Sequence, residues 1–128
     1  MRHTLFLLLL VALVSGCGGE SSPPETQPVQ GPDTFGQELF EERVVGANPG
    51  CVTCHSLLNG VTIVGPSLHT VESPVPGMTE ADYVREAIVN PDAYIAEGFS
   101  AGQMNAGWDE LLSDEQIESL VEFLLGTS

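Results

Sequence analysis

The chain has no lysine and only three arginines among 128 residues, against 18 acidic side chains. A formal charge of −15 offers almost nothing with which to neutralise a phosphate backbone, which argues against nucleic acid as a partner. Long apolar runs are missing too. The unbroken stretch Leu5 to Val14 is ten residues, about half of what a bilayer-spanning helix needs. Cysteine is scarce, with Cys17, Cys51 and Cys54 the only three. A zinc site built on one pair would have to recruit its other ligands from the remaining cysteine, His3, His69 and carboxylates. The length leaves room for one domain.

What is present centres on Cys51-Val52-Thr53-Cys54-His55. C-x-x-C-H is the attachment signature of a c-type haem. Two thiols at this spacing can each add to one vinyl group of the same porphyrin, and the adjacent imidazole then reaches the iron from one face. The pattern therefore predicts Cys51 and Cys54 as thioether anchors of one haem c and His55 as an axial iron ligand. The competing reading is a thioredoxin-like dithiol, which wants a strand before the motif and a helix opening on it. Here Ala47-Asn48-Pro49-Gly50 is turn chemistry instead.

The N-terminus has the form of an export signal. Met1-Arg2-His3 is a short basic start, the ten-residue run is an h-region, and small residues follow. Val14-Ser15-Gly16-Cys17 resembles the lipobox of bacterial lipoproteins, in which the chain is cut before the cysteine and that cysteine is acylated. Residues 1–16 are thus expected to be a signal peptide and Cys17 a lipidation site; the other reading is an ordinary signal that leaves Cys17 a free thiol. The cysteine count favours lipidation, because the haem would take two of three and leave an odd exported thiol. Several acyl chains make a durable anchor, at about 0.8 kcal/mol per buried methylene. The processed chain would keep 18 acids against two arginines, about 16 net negative charges. Residues 17–32 include GGESSPPETQPVQGP, with four prolines and no apolar periodicity. This composition predicts a flexible tether, which as a coil would span roughly 20 Å.

The folded domain is expected over 33–128. Asp33 is a good N-cap, and Phe35, Leu39, Phe40 and Val44 give an apolar face running to Gly46. Gly36 inside that helix is costly unless another backbone must approach there, which predicts a crossing with a second helix. Ser56 to Val71 is loop-rich. Within it the Pro66 carbonyl could accept from the second nitrogen of His55, or Pro66 could simply stiffen the loop. Thr79 to Asp82 caps a second helix with Tyr83, Val84, Ala87 and Ile88 inward, ending at Asn90-Pro91. Gly98 to Gly107 is irregular and glycine-rich. Ser113 to Gln116 is a capping box for a last helix to about Leu125, with Ile117, Leu120, Val121 and Leu124 on one face.

A six-coordinate iron needs a ligand opposite His55. His69, Met78, Met104 or an open position are the alternatives, and spacing puts Met104 ahead because its loop is free to wrap a porphyrin. From about Asp33 to Leu125 the chain resembles a class I c-type cytochrome. NPDAYIAEGFSAGQM followed by LSDEQIESLVEFL is especially similar to the haem domain fused to cytochrome c oxidase subunit II in some bacteria. The resemblance implies an all-α fold with about three main helices around one haem. It implies Cys51 and Cys54 as attachment points, His55 and Met104 as axial ligands, and Pro66 with Leu68 in the haem pocket. It also implies that Gly36 and Phe40 cross Leu120 and Phe123. Two departures stand out: Asn105 replaces the proline that often follows the methionine, and there is no copper-binding domain or membrane span.

These features together predict an electron carrier rather than an enzyme, because a His–Met iron has no open position for substrate. The partners expected are redox proteins such as a terminal oxidase or a quinol-oxidising complex, met at the membrane through the lipid anchor. The location expected is the outer face of the cytoplasmic membrane or the periplasmic side of the outer membrane. The alternatives are a haem enzyme or gas sensor with a labile methionine, and a fixed wiring subunit of a larger respiratory complex. Trp108 or Tyr94 could hydrogen-bond a haem propionate or merely fill the core.

Overall fold

The structure is a computed structural model that describes residues 32–127. The expected signal peptide, Cys17 and nearly all of the tether lie outside the described residues. Helix α1 spans Pro32–Glu41 and is followed by two short antiparallel strands, β1 (Val44–Val45) and β2 (Asn48–Pro49). A 3₁₀ turn covers Cys51–Thr53, and a long irregular segment leads to α2 (Glu80–Val89). A second irregular segment precedes the short α3 (Trp108–Leu111), and α4 (Asp114–Gly126) closes the chain. The predicted all-α class with three main helices is what forms, as α1, α2 and α4. Among the described residues no helix is long and apolar enough to cross a membrane.

The core sits where α1 crosses α4. Phe40, Ile117 and Leu120 are almost fully buried, with Leu39, Val121 and Leu124 beside them. Each such side chain contributes roughly 1.5–3 kcal/mol when withdrawn from water. Gly36 permits the crossing: a Cβ there would lie 1.9 Å from the Ser119 carbonyl oxygen. The two backbones are therefore in contact, and the Phe40 and Phe123 rings close the crossing with centroids 5.7 Å apart.

Capping chemistry fixes the other helix starts. Ser113 accepts from the Gln116 amide while the Gln116 side chain accepts from the Ser113 amide, a reciprocal capping box. The Thr79 hydroxyl accepts from the Asp82 amide at the start of α2. Arg85 on α2 pairs with Glu118 and Asp114 on α4, tying the outer edges of the two helices.

The expected run of α1 to Gly46 does not form. The helix stops at Glu41, and Val44, expected inward, is exposed while Val45 is buried. The reason lies beyond the helix. Gly50 donates to the Arg43 carbonyl at 2.8 Å, and a Cβ on Gly50 would meet the Glu42 carbonyl at 1.9 Å. The chain must fold back on itself there, and Gly46 takes a left-handed φ of 61° to allow it.

Candidate functional site

Closing the chain at Gly50 brings the motif into the core. Side chains three apart eclipse in a 3₁₀ turn, so Cys51 and Cys54 stand on the same edge of it. The amides of Cys54 and His55 both return to the Cys51 carbonyl, at 3.1 and 2.9 Å, and the Thr53 hydroxyl donates to the Gly50 carbonyl at 2.6 Å. Neither cysteine is in a disulfide. Burial pushes the Cys51 thiol above its ordinary value, opposed by a backbone hydrogen bond and reinforced by neighbouring Cys54. Thiol exchange and zinc binding both need the thiolate, so this shift disfavours them. Among the described residues no three His, Cys, Asp or Glu side chains converge on one point.

The second wall of the site is the segment 64–68, laced to the motif by backbone hydrogen bonds. The Val64 and Gly65 amides both donate to the Cys54 carbonyl, at 3.1 and 2.9 Å, and the Leu68 amide donates to the Ser56 carbonyl at 2.8 Å. Between them the Pro66 carbonyl lies 2.9 Å from His55 Nδ1. A carbonyl only accepts, so Nδ1 carries the proton and the lone pair belongs to Nε2. Burial pulls the imidazole below its ordinary value, against a smaller opposing effect of the Pro66 hydrogen bond. The ring is thus neutral at neutral pH, with one nitrogen engaged by the protein and the other able to bind a metal.

Cys51, Cys54, His55, Pro66, Leu68 and Met104 all line one cavity of about 360 Å³. This is the size range of a small-molecule or cofactor site. Residues far apart in sequence therefore meet at one place: the motif, the proline loop and the methionine loop. Of the other candidates for the position opposite His55, neither His69 nor Met78 lines the cavity.

The lining tests whether a haem suits the site. Most of it is apolar, including Phe40, Val84, Ile88, Leu120 and Leu124 from the helices, which matches the faces of a macrocycle. One polar group breaks the pattern. Trp108 also lines the cavity and is 4% exposed, and its indole Nε1 has no hydrogen-bond partner among the described residues. An unsatisfied buried N–H costs roughly 1–3 kcal/mol, and a carboxylate-bearing ligand in the cavity would remove that cost. Apolar walls, an available imidazole nitrogen and an unmet donor together fit a porphyrin carrying propionates.

Three features of the site are not apparent in the sequence. Gly65 is pressed against the His55 ring; the Gly-Pro pair beside a histidine motif was the available signal. The Gly102 amide donates to Asp92 at 2.8 Å and the Ser100 amide to the Gln103 side chain at 2.8 Å, holding the loop that carries Met104. Tyr83 and Tyr94, both on the lining, pack with ring centroids 6.1 Å apart.

Comparison with known proteins agrees with the motif and the fold. No curated protein and no solved structure matches the chain. Residues 34–128 match the family model described as Cytochrome c. That span covers the site from α1 to the end of α4, and with it the chain belongs to the cytochrome c family, as a haem-based electron carrier with covalently bound haem c.

Proposed function

We propose that this protein is an exported, lipid-anchored monohaem cytochrome that carries single electrons between respiratory partners and donates to a terminal oxidase. In this reading Cys51 and Cys54 form the thioethers and Cys17 carries the lipid. His55 Nε2 and the Met104 thioether are the axial ligands, and Pro66 and Leu68 complete the pocket. The bound haem supplies one-electron iron chemistry, and the chain's own residues determine what that chemistry can be. Pro66 fixes the imidazole tautomer through its carbonyl. The apolar helix faces exclude water from the cavity. A nitrogen and a thioether together favour a higher potential than two nitrogens would give.

The observation that carries the reading is the presence of His55 and Met104 on one cavity that His69 and Met78 do not reach. It is tested on the oxidised holoprotein by the weak red absorption of a methionine–iron bond. Met104→Ala is expected to abolish that band and Met78→Ala to leave it. The reverse outcome overturns the assignment. Export and anchoring are tested by labelling cells with a radioactive fatty acid: the parent incorporates label and Cys17→Ser does not.

A further inference from the structure

The surface beside the cavity mouth differs from the rest of the molecule. From Val44 to Val71 the chain contains no Asp, Glu, Lys or Arg, although it holds 18 acids elsewhere. Within that stretch Leu58 is 67%, Val61 41%, Ile63 54% and Val64 53% exposed. Four large apolar side chains within seven residues of one loop form a patch, which differs from single exposed residues scattered over a surface.

The loop is held in shape, so the exposure is built in. The Leu58 amide donates to the Ser56 hydroxyl at 3.0 Å, the Ser67 hydroxyl to the Leu58 carbonyl at 2.8 Å, and the Val61 amide to the same carbonyl at 3.1 Å. At its far end Val64 is anchored to the Cys54 carbonyl. Val64 also lines the cavity, so the patch is continuous with the mouth of the haem site.

We propose that the loop 58–64 is the docking face for the electron-transfer partner, a redox protein with an apolar, uncharged centre and a basic periphery. The proposal rests on the electron-carrier reading of the same site. Charge complementarity selects this occupant. An uncharged centre brings the two redox groups together without desolvating ions, while acids such as Glu38, Glu41, Glu42 and Glu72, which bracket the stretch in sequence, attract a basic rim from a distance.

Two cationic redox complexes test the proposal. Tris(phenanthroline)cobalt(III) presents apolar aromatic faces and accepts one electron, converting ferrous protein to ferric as cobalt(III) becomes cobalt(II). Hexaammineruthenium(II) has no apolar face and donates one electron to the ferric protein. Leu58→Ser with Ile63→Ser, in the full-length holoprotein, is expected to slow the cobalt reaction about fivefold and leave the ruthenium reaction unchanged. An unchanged cobalt rate, or an equal fall in both rates, overturns the docking face. A parent rate that rises on dilution, with no such change in the variant, assigns the patch to a second copy of this chain. Slowing of the parent alone by phosphatidylcholine vesicles assigns it to a membrane surface. Either assignment also overturns the proposal. Failure of both complexes to exchange electrons with the parent overturns the carrier reading itself, which separates the two failures.

Discussion

Gly65 and the His55 ring are in direct contact. A Cβ on residue 65 would lie 2.5 Å from the ring's Cε1, 2.9 Å from Nδ1 and 3.0 Å from Nε2. Pro66 holds the ring by its Nδ1, and Gly65 provides the space the ring occupies. Position and tautomer of the imidazole thus come from two consecutive residues, themselves anchored to the motif through the Cys54 carbonyl.

Gly65→Ala is therefore expected to push the imidazole off its position. The cost is that of overpacking a fixed site, about 1–3 kcal/mol, together with a shifted midpoint potential. Gly126→Ala is the control, since a Cβ there meets nothing within 4 Å. Thermal melts and a redox titration on both variants decide the matter. A Gly65→Ala protein matching the control in both would show that the ring is free to move.

How much of this was readable beforehand depended on the range of the forces involved. Helix α4 was legible because its causes are local: the Ser113 box and the stripe Ile117, Leu120, Val121 and Leu124 lie within one segment. The same holds for α2 from Thr79 to Asn90. The end of α1 was not legible, because what stops it is the return of Gly50 beneath the Glu42 carbonyl, a contact made by residues beyond the helix. Helix α3 escaped notice because four residues are too few to show a period. Of the site, the covalent motif is written in five adjacent letters, whereas the meeting of the proline and methionine loops on one cavity is a product of the fold.

Gly36→Ala is expected to be among the most damaging single-methyl additions in the chain. The clash at 1.9 Å is with the backbone oxygen of Ser119, and the next contact is the Phe123 Cβ at 2.8 Å. Neither can rotate away, so α1 must lift from α4 and loosen the Phe40 and Leu120 packing. A loss of about 3 kcal/mol or more is expected by chemical denaturation. A loss below about 1 kcal/mol would mean that the helices can slide apart cheaply.

Trp108→Phe separates the two roles of that residue. Phenylalanine keeps most of the buried ring but removes the Nε1 donor, which has no partner among the described residues. If the indole donates to a haem propionate, its removal leaves that carboxylate's charge less compensated and favours the ferric state. The midpoint potential is then expected to fall while the melting temperature changes little. A lower melting temperature with an unchanged potential would assign Trp108 to packing alone.

The methionine loop has Asn105 where a proline would stiffen it, so its order must come from other contacts. Asp92 accepts from the Gly102 amide across ten residues, and Gly98 and Gly102 take φ of 88° and 74° to form the turns between. The Gln103 side chain caps the Ser100 amide from inside the loop. These bonds are exposed, and each contributes on the order of 1 kcal/mol. They therefore set the local stability of the loop rather than that of the whole domain. Asp92→Ala is expected to leave global unfolding within about 0.5 kcal/mol of the parent and to make the red methionine–iron band disappear well below the melting temperature. Carbon monoxide should also bind the reduced variant more readily, because a loosened Met104 exposes the iron. A variant whose band and melt are lost together, as in the parent, would show that Asp92 does not hold the loop.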